Sequence, residues 1–197
     1  MSPSPSRGIP LIVLGLVAAA PLAGQQRPAP FETLGVTLAA VGNVNRNSFH
    51  ETWRPGLGVA AAIELPFYAG HAELGAEQLT FDSRVSGVPA FRARYLFVGW
   101  GLESAVQRRF RWSNGIRLGS YTMRFDDESL PDFSRHESEV GLELGSRLGW
   151  SPIARWQVSV AGHYRLILTE PTIRHIYLTA GVTRTFGTPQ WLRDFLD

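Results

Sequence analysis

Between residues 31 and 186 apolar and polar side chains alternate with a period of two almost throughout, in segments separated by connections. That period places successive side chains on opposite faces of an extended chain, so it reads as strands and excludes helices. The clearest stretch runs from Glu139 to Trp150. Val140, Leu142, Leu144, Leu148 and Trp150 share one face, and Glu139, Gly141, Glu143, Gly145, Arg147 and Gly149 share the other. The same split recurs from Trp156 to Leu168 and from Ile176 to Thr185. Marked this way, the chain holds eight strands, at 34–42, 57–65, 71–81, 91–106, 113–125, 137–149, 156–168 and 175–186. The orientation of the fourth and fifth stays open. Arg92 and Arg94 share a face with Leu96, Val98 and Trp100, and a bulge would switch the parity partway along.

The connections alternate between long and short. Asn43–Gly56, Asp82–Ala90 and Asp126–His136 are long, Pro66–Gly70, Gln107–Trp112 and Trp150–Arg155 are short, and Thr169–Arg174 is intermediate. An even number of strands joined in this manner predicts an all-β fold. It is an eight-stranded antiparallel up-and-down transmembrane β-barrel with short periplasmic turns and longer extracellular loops.

The first residues explain how such a chain reaches a membrane. An apolar run from Ile9 to Ala20 is followed by Pro21, Leu22, Ala23 and Gly24, with the small Ala23 and Gly24 at a cleavage position. The run is shorter than the roughly 20 residues of a spanning helix, so residues 1–24 are read as a secretory signal peptide. Residues 25–30 form a leader, 31–186 the barrel, and 187–197 a periplasmic tail. The tail is read as a short amphipathic helix with Thr188 as cap and Pro189 in its first turn. There is no cysteine, hence no lipid anchor and no disulfide framework. All 19 basic residues are arginine. They are interleaved with acids instead of clustered, which argues against nucleic acid as a partner.

Alternation alone does not say which face is wet, because a soluble lipocalin-like barrel turns its apolar face inward. Aromatic residues favour the membrane reading. Phe67, Tyr68, Phe110, Trp112, Trp150, Trp156 and Phe186 lie at the expected periplasmic strand ends, and Phe81, Phe91, Phe125 and Tyr177 at the others, as in interfacial girdles. The polar face then lines a narrow lumen. Its charge network is read as Glu64, Glu73, Glu77, Arg117, Glu139, Glu143, Arg147, His163 and Arg165, with His71 nearby. Opposite charges enclosed there would pair across the barrel and plug it. The small inward residues Thr37, Ala39, Gly58, Ala60 and Ala62 leave a narrow pore as an alternative.

In its signal peptide, strand alternation, loop asymmetry and last strand ending in Phe186, the chain resembles the small eight-stranded outer-membrane barrels of the OmpA and OmpX type of Gram-negative cell envelopes. The resemblance covers nearly all of the mature chain. It implies assembly by the barrel-assembly machinery; outer-membrane localisation and a monomer are expected. Two departures stand out: Gly187–Asp197 follow the terminal aromatic, and Arg184 sits where an apolar residue is usual.

Some barrels of this kind modify lipid A with a histidine, a serine and an acid, which draws notice to His136 and Ser138, with Glu139 beside them. Trp150 stands where such an acid is expected and no oxyanion donor can be named, so the expectation is a protein without enzymatic activity. Neither metal nor cofactor is expected, since the five histidines are scattered and no glycine-rich phosphate loop is present. The expected role is to hold external loops at the cell surface. Arg46, Arg54, Arg92, Arg135 and Arg174 near the outer rim are placed to bond lipopolysaccharide phosphates, because a guanidinium grips a phosphate with two parallel hydrogen bonds.

Overall fold

The computed structural model describes residues 31–126 and 136–196. The signal peptide and leader, Arg135 and most of the Asp126–His136 connection lie outside the described residues.

Among the described residues nine strands and two short helices follow one another: β1 (Thr33–Asn43), α1 (Phe49–Thr52), β2 (Trp53–Pro55), β3 (Leu57–Phe67), β4 (Gly70–Ser83), β5 (Phe91–Gln107), β6 (Phe110–Phe125), β7 (His136–Ile153), β8 (Trp156–Ile167), β9 (Ile173–Gly187) and α2 (Gln190–Leu196). Eight of the strands form a closed antiparallel barrel. Each pairs with its neighbour in sequence, and β1 pairs with β9 from Thr33↔Gly187 to Asn43↔Tyr177, which leaves no free edge. The ninth, β2, is a three-residue extension that pairs with β4 beside β3, Pro55 facing Phe81.

The first and last strands place both termini at one end, here the terminal end. The turns 68–69, 108–109 and 154–155 also lie there, and the longer connections lie at the opposite, loop end. Two of these turns use a left-handed residue, Tyr68 (φ 50) and Arg155 (φ 67), which lets the strands reverse within two residues.

The apolar face points out. Leu38, Val59, Leu74, Leu96, Leu118 and Val160 are each more than half exposed on the outer wall. Facing inward on β4 to β9 are Glu77, Tyr95, Tyr121, Glu143, Arg165 and Tyr177, all nearly inaccessible. The parity of β5 and β6 is thereby settled. The pairing of β5 with β6 runs without a shift from Phe91 to Ala105, so Arg92 and Arg94 face outward together with Leu96, Val98 and Trp100. The residues change from apolar to basic because the strands run beyond the apolar part of the wall.

Inward glycines give a small barrel room for large side chains. A Cβ on Gly75 would lie 2.4 Å from the Phe97 ring, and one on Gly141 2.7 Å from the Tyr95 ring, so these two positions admit nothing larger.

The aromatic residues at the loop end depart from the expected girdle. Phe81, Phe91 and Tyr177 are buried inside the barrel, with Phe125 packed against them, together with Val41, Leu79, Met123 and Ile167. They form an apolar core under the loop end. At the terminal end Phe110, Trp112, Trp150, Trp156 and Phe186 do face outward, each between 37% and 45% exposed.

Candidate functional site

Three arrangements inside and around the wall carry chemistry. The first is a ladder of ion pairs along the barrel axis. Arg165 of β8 is fully buried and donates Nη1 and Nη2 to Glu77 of β4 at 2.8 and 2.9 Å, and Nε to Glu143 of β7 at 2.7 Å. Its guanidinium lies over the rings of Tyr95 (4.1 Å) and Tyr177 (4.4 Å). Arg117 of β6 bridges Glu73 (2.7 and 3.0 Å) and the other oxygen of Glu143 (2.9 Å), with the Phe97 ring 4.5 Å away. His163 lies 3.0 Å from Glu143 through Nδ1 and 3.2 Å from the Thr179 hydroxyl through Nε2. Towards the terminal end Arg147 grips both oxygens of Glu64 and approaches His71 Nε2 (3.2 Å), while the Thr37 hydroxyl donates to Glu64 at 3.0 Å.

Of the nine residues read as a lumen network, eight are thus brought together. Glu139 shares the inward face of β7 but makes no ion pair with a described residue. The partners are remote in sequence, 88 residues in the case of Arg165 and Glu77, and they meet because strands on opposite sides of a narrow barrel face one another. Among the small inward residues read as a pore lining, Ala60 and Ala62 pack against the apolar core, and Gly58 lies against Leu79.

The second arrangement closes the loop end. The Asn43–Gly56 connection, expected as a surface loop, turns inward: α1 buries His50 and sets the Phe49 ring against the apolar core. His50 Nε2 donates to Asn43 Oδ1 at 2.7 Å, and its Nδ1 meets Asn47 through the side-chain oxygen at 2.7 Å and the backbone N–H at 3.3 Å. Burial, with Arg46 and Arg84 nearby, holds the His50 imidazole below its ordinary pKa. Sequence reasoning missed this element. Its signal was the Phe-His pair between polar residues, 49 and 50, in a connection otherwise suited to solvent.

The third lies on the outer wall at the loop end. Arg92, Arg124 and His136 occupy one cross-strand row on β5, β6 and β7, all exposed and outward, with Arg94 facing Thr122 in the adjacent row. Arg94 Nε donates to Gln78 at 3.1 Å. No carboxylate pairs with Arg92, Arg94 or Arg124 among the described residues. The sequence pointed to Arg92 alone, and its neighbour Arg124 emerges only from the register. The other rim candidates are scattered around the loop end. Arg46 is exposed and donates to the Asn45 carbonyl at 2.8 Å, Arg54 is exposed on β2, and Arg174 is exposed at the start of β9, its carbonyl accepting from Asn45 and Asn47.

The relay suggested by His136, Ser138 and Glu139 is not assembled. His136 and Ser138 share the outward face, where the Ser138 hydroxyl pairs with that of Ser120 at 3.0 Å, whereas Glu139 lies on the inward face across the wall. No group of three His, Cys, Asp or Glu able to hold a metal occurs among the described residues. The terminal end holds an open cavity of about 500 Å³ bordered by Glu64, His71, Arg155 and Gln157.

No family model matches the sequence, and no curated protein matches it. Solved structures do match in fold. Neisserial surface protein A superposes with a TM-score of 0.62 at 12% identity, over 78% of this chain and 97% of that one. The N-terminal β-barrel domain of Pseudomonas aeruginosa OprF gives 0.53 at 9% identity, over 80% and 99%. The Yersinia pestis outer membrane protein Ail in a phospholipid bilayer nanodisc gives 0.51 at 12%, over 79% and 99%. The resemblance to small eight-stranded outer-membrane barrels therefore holds at the level of the fold.

Proposed function

We propose that this chain is a non-enzymatic outer-membrane barrel, its lumen plugged by paired charges, that holds lipopolysaccharide phosphates on its outer rim. The observation that carries the reading is the outward row in which Arg92 stands directly opposite Arg124, flanked by Arg94 and His136. Like charges facing across a strand pair are destabilising, so a pair with no carboxylate beside it among the described residues is a position better suited to an external anion. It sits just beyond the last apolar residues of the same strands, Leu96, Leu118 and Val140, which is the height of a phosphate if those residues meet acyl chains. Guanidinium forks suit phosphate because they bind it through two hydrogen bonds.

Support for the membrane setting is physical. A wall with Leu, Val and Trp outside and Arg and Glu inside is unfavourable in water and favourable in lipid. The outward tryptophans then mark the periplasmic interface, which puts both termini in the periplasm and leaves the last strand, β9, for the assembly machinery to recognise. Export through a cleaved signal peptide belongs to the same reading.

The test is binding of lipopolysaccharide by the barrel and by an Arg92→Gln, Arg94→Gln, Arg124→Gln variant. The expected result is a loss of about tenfold or more in affinity, with no change toward dephosphorylated lipopolysaccharide. Equal affinity of a correctly folded triple variant would refute the rim assignment.

A further inference from the structure

The Phe49 ring is held in the loop-end mouth as a ligand would be. It does not belong to the barrel wall: α1 hangs on a connection tied to β9 by Val44 N–H to Ile176 O (2.9 Å) and by Asn45 and Asn47 to the Arg174 carbonyl (3.1 and 2.9 Å). The ring centroid lies 4.8 Å from His175, 4.9 Å from Trp53, 5.5 Å from Phe81 and 6.1 Å from Phe91. Edge-to-face geometry dominates these contacts, which are the arrangements aromatic rings prefer.

One ring nitrogen of this cup lacks a partner among the described residues. His175 is fully buried and its Nδ1 meets the Tyr177 hydroxyl at 2.7 Å, but its Nε2 makes no hydrogen bond to a described residue. A buried ring nitrogen left unpaired is unfavourable, and the phenyl ring of Phe49 offers it no oxygen or nitrogen to bond. Beneath the cup, Arg165 is already held by Glu77 and Glu143, so it offers no free cation to an anionic ligand.

We propose that the mouth is a binding site for a small neutral phenol, whose ring replaces that of Phe49 and whose hydroxyl pairs with His175 Nε2. A hydroxyl suits the nitrogen in either tautomer, since it donates to a bare Nε2 and accepts from a protonated one. Flat ring walls select an aromatic body over an acyl chain, and the withdrawal of Phe49 supplies the space. The site is separate from the arginine row, so neither reading depends on the other.

Trp53 reports on the cup because it packs against both Phe49 and Phe91 while its indole N–H is donated to the Pro89 carbonyl at 3.1 Å. The experiment titrates p-cresol into the full chain in lipid nanodiscs and follows the Trp53 indole N–H resonance, assigned with Trp53→Phe. The expected result is a saturable shift in the wild type and an affinity about tenfold tighter in Phe49→Ala, which has no ring to displace. Toluene, with the same ring and no hydroxyl, is expected to bind the wild type about tenfold more weakly than p-cresol. A missing saturable shift in both proteins, or equal affinity in the two, overturns the site. Toluene binding as well as p-cresol overturns the pairing with His175. Should Phe49→Ala fail to fold, Phe49→Leu gives the same comparison with an apolar side chain retained.

Discussion

Arg165 shows how much depends on single side chains in a barrel this narrow. Its guanidinium is enclosed without water access and bonds two carboxylates at once, so Arg165→Met leaves Glu77 without its cation and Glu143 with Arg117 alone in a low-dielectric interior. The expected loss is about 3–5 kcal/mol of unfolding free energy, measured by urea titration of the reconstituted barrel. Arg174→Met, on the exposed outer wall, should change stability by less than about 0.5 kcal/mol. Equal effects of the two substitutions would mean that the buried ladder is not what stabilises the interior. The members of the ladder were legible in the sequence because they fall on the polar parity of their strands. Their partners were not: a parity assigns Glu77 and Arg165 to the same lumen, but which pairs form depends on strand stagger around a closed barrel, and no local pattern encodes it. The same limit hid Arg124 as the neighbour of Arg92.

Among the elements, α1 departs most from what its sequence context suggested. A long connection between strands reads as a surface loop, and most of Asn43–Gly56 is polar enough to support that. Phe49 and His50 turn it inward because the barrel below offers Phe81, Phe91 and His175 as an apolar surface. The inward direction of those rings was available from parity, since Phe81 alternates in phase with Glu73 and Glu77, and Phe91 with Tyr95. Position near a strand end suggested a girdle instead, and the two signals conflicted. The element also has a titratable latch. A second hydrogen bond from protonated His50 to Asn47 would favour the charged form, but burial and the nearby Arg46 and Arg84 outweigh it and lower the pKa. The folded chain then binds fewer protons at this site than the unfolded one, so its contribution to stability is lost as pH falls below about 6.5. Melting temperatures at pH 7.5 and 5.5 should therefore differ more in the wild type than in His50→Gln. An equal difference in the two would remove His50 from the pH response.

The whole molecule is organised by which side of the wall faces water, and β7 permits a direct test. Its outward series runs His136, Ser138, Val140, Leu142, Leu144, Ser146, Leu148, Trp150, from polar residues at the loop end to an aromatic at the terminal end. If the apolar part meets hydrocarbon, Leu144 lies near the bilayer centre and Ser138 beyond the outer interface. An arginine at the centre costs about 2–4 kcal/mol on a lipid-facing wall and about 0–1 kcal/mol near the interface. In a soluble barrel both residues would be solvent-exposed, and both replacements would be nearly neutral. Leu144→Arg should accordingly lower the unfolding free energy in vesicles by about 2–4 kcal/mol, and Ser138→Arg by about 1 kcal/mol or less. A small effect at both positions would turn the apolar wall into the surface of a soluble protein, and with it remove the lipid that the arginine row is proposed to meet. A large effect confined to Leu144 would place the belt and the rim at the heights that a phosphate-binding row requires, because Arg92 and Arg124 share the level of His136, one residue pair above Ser138.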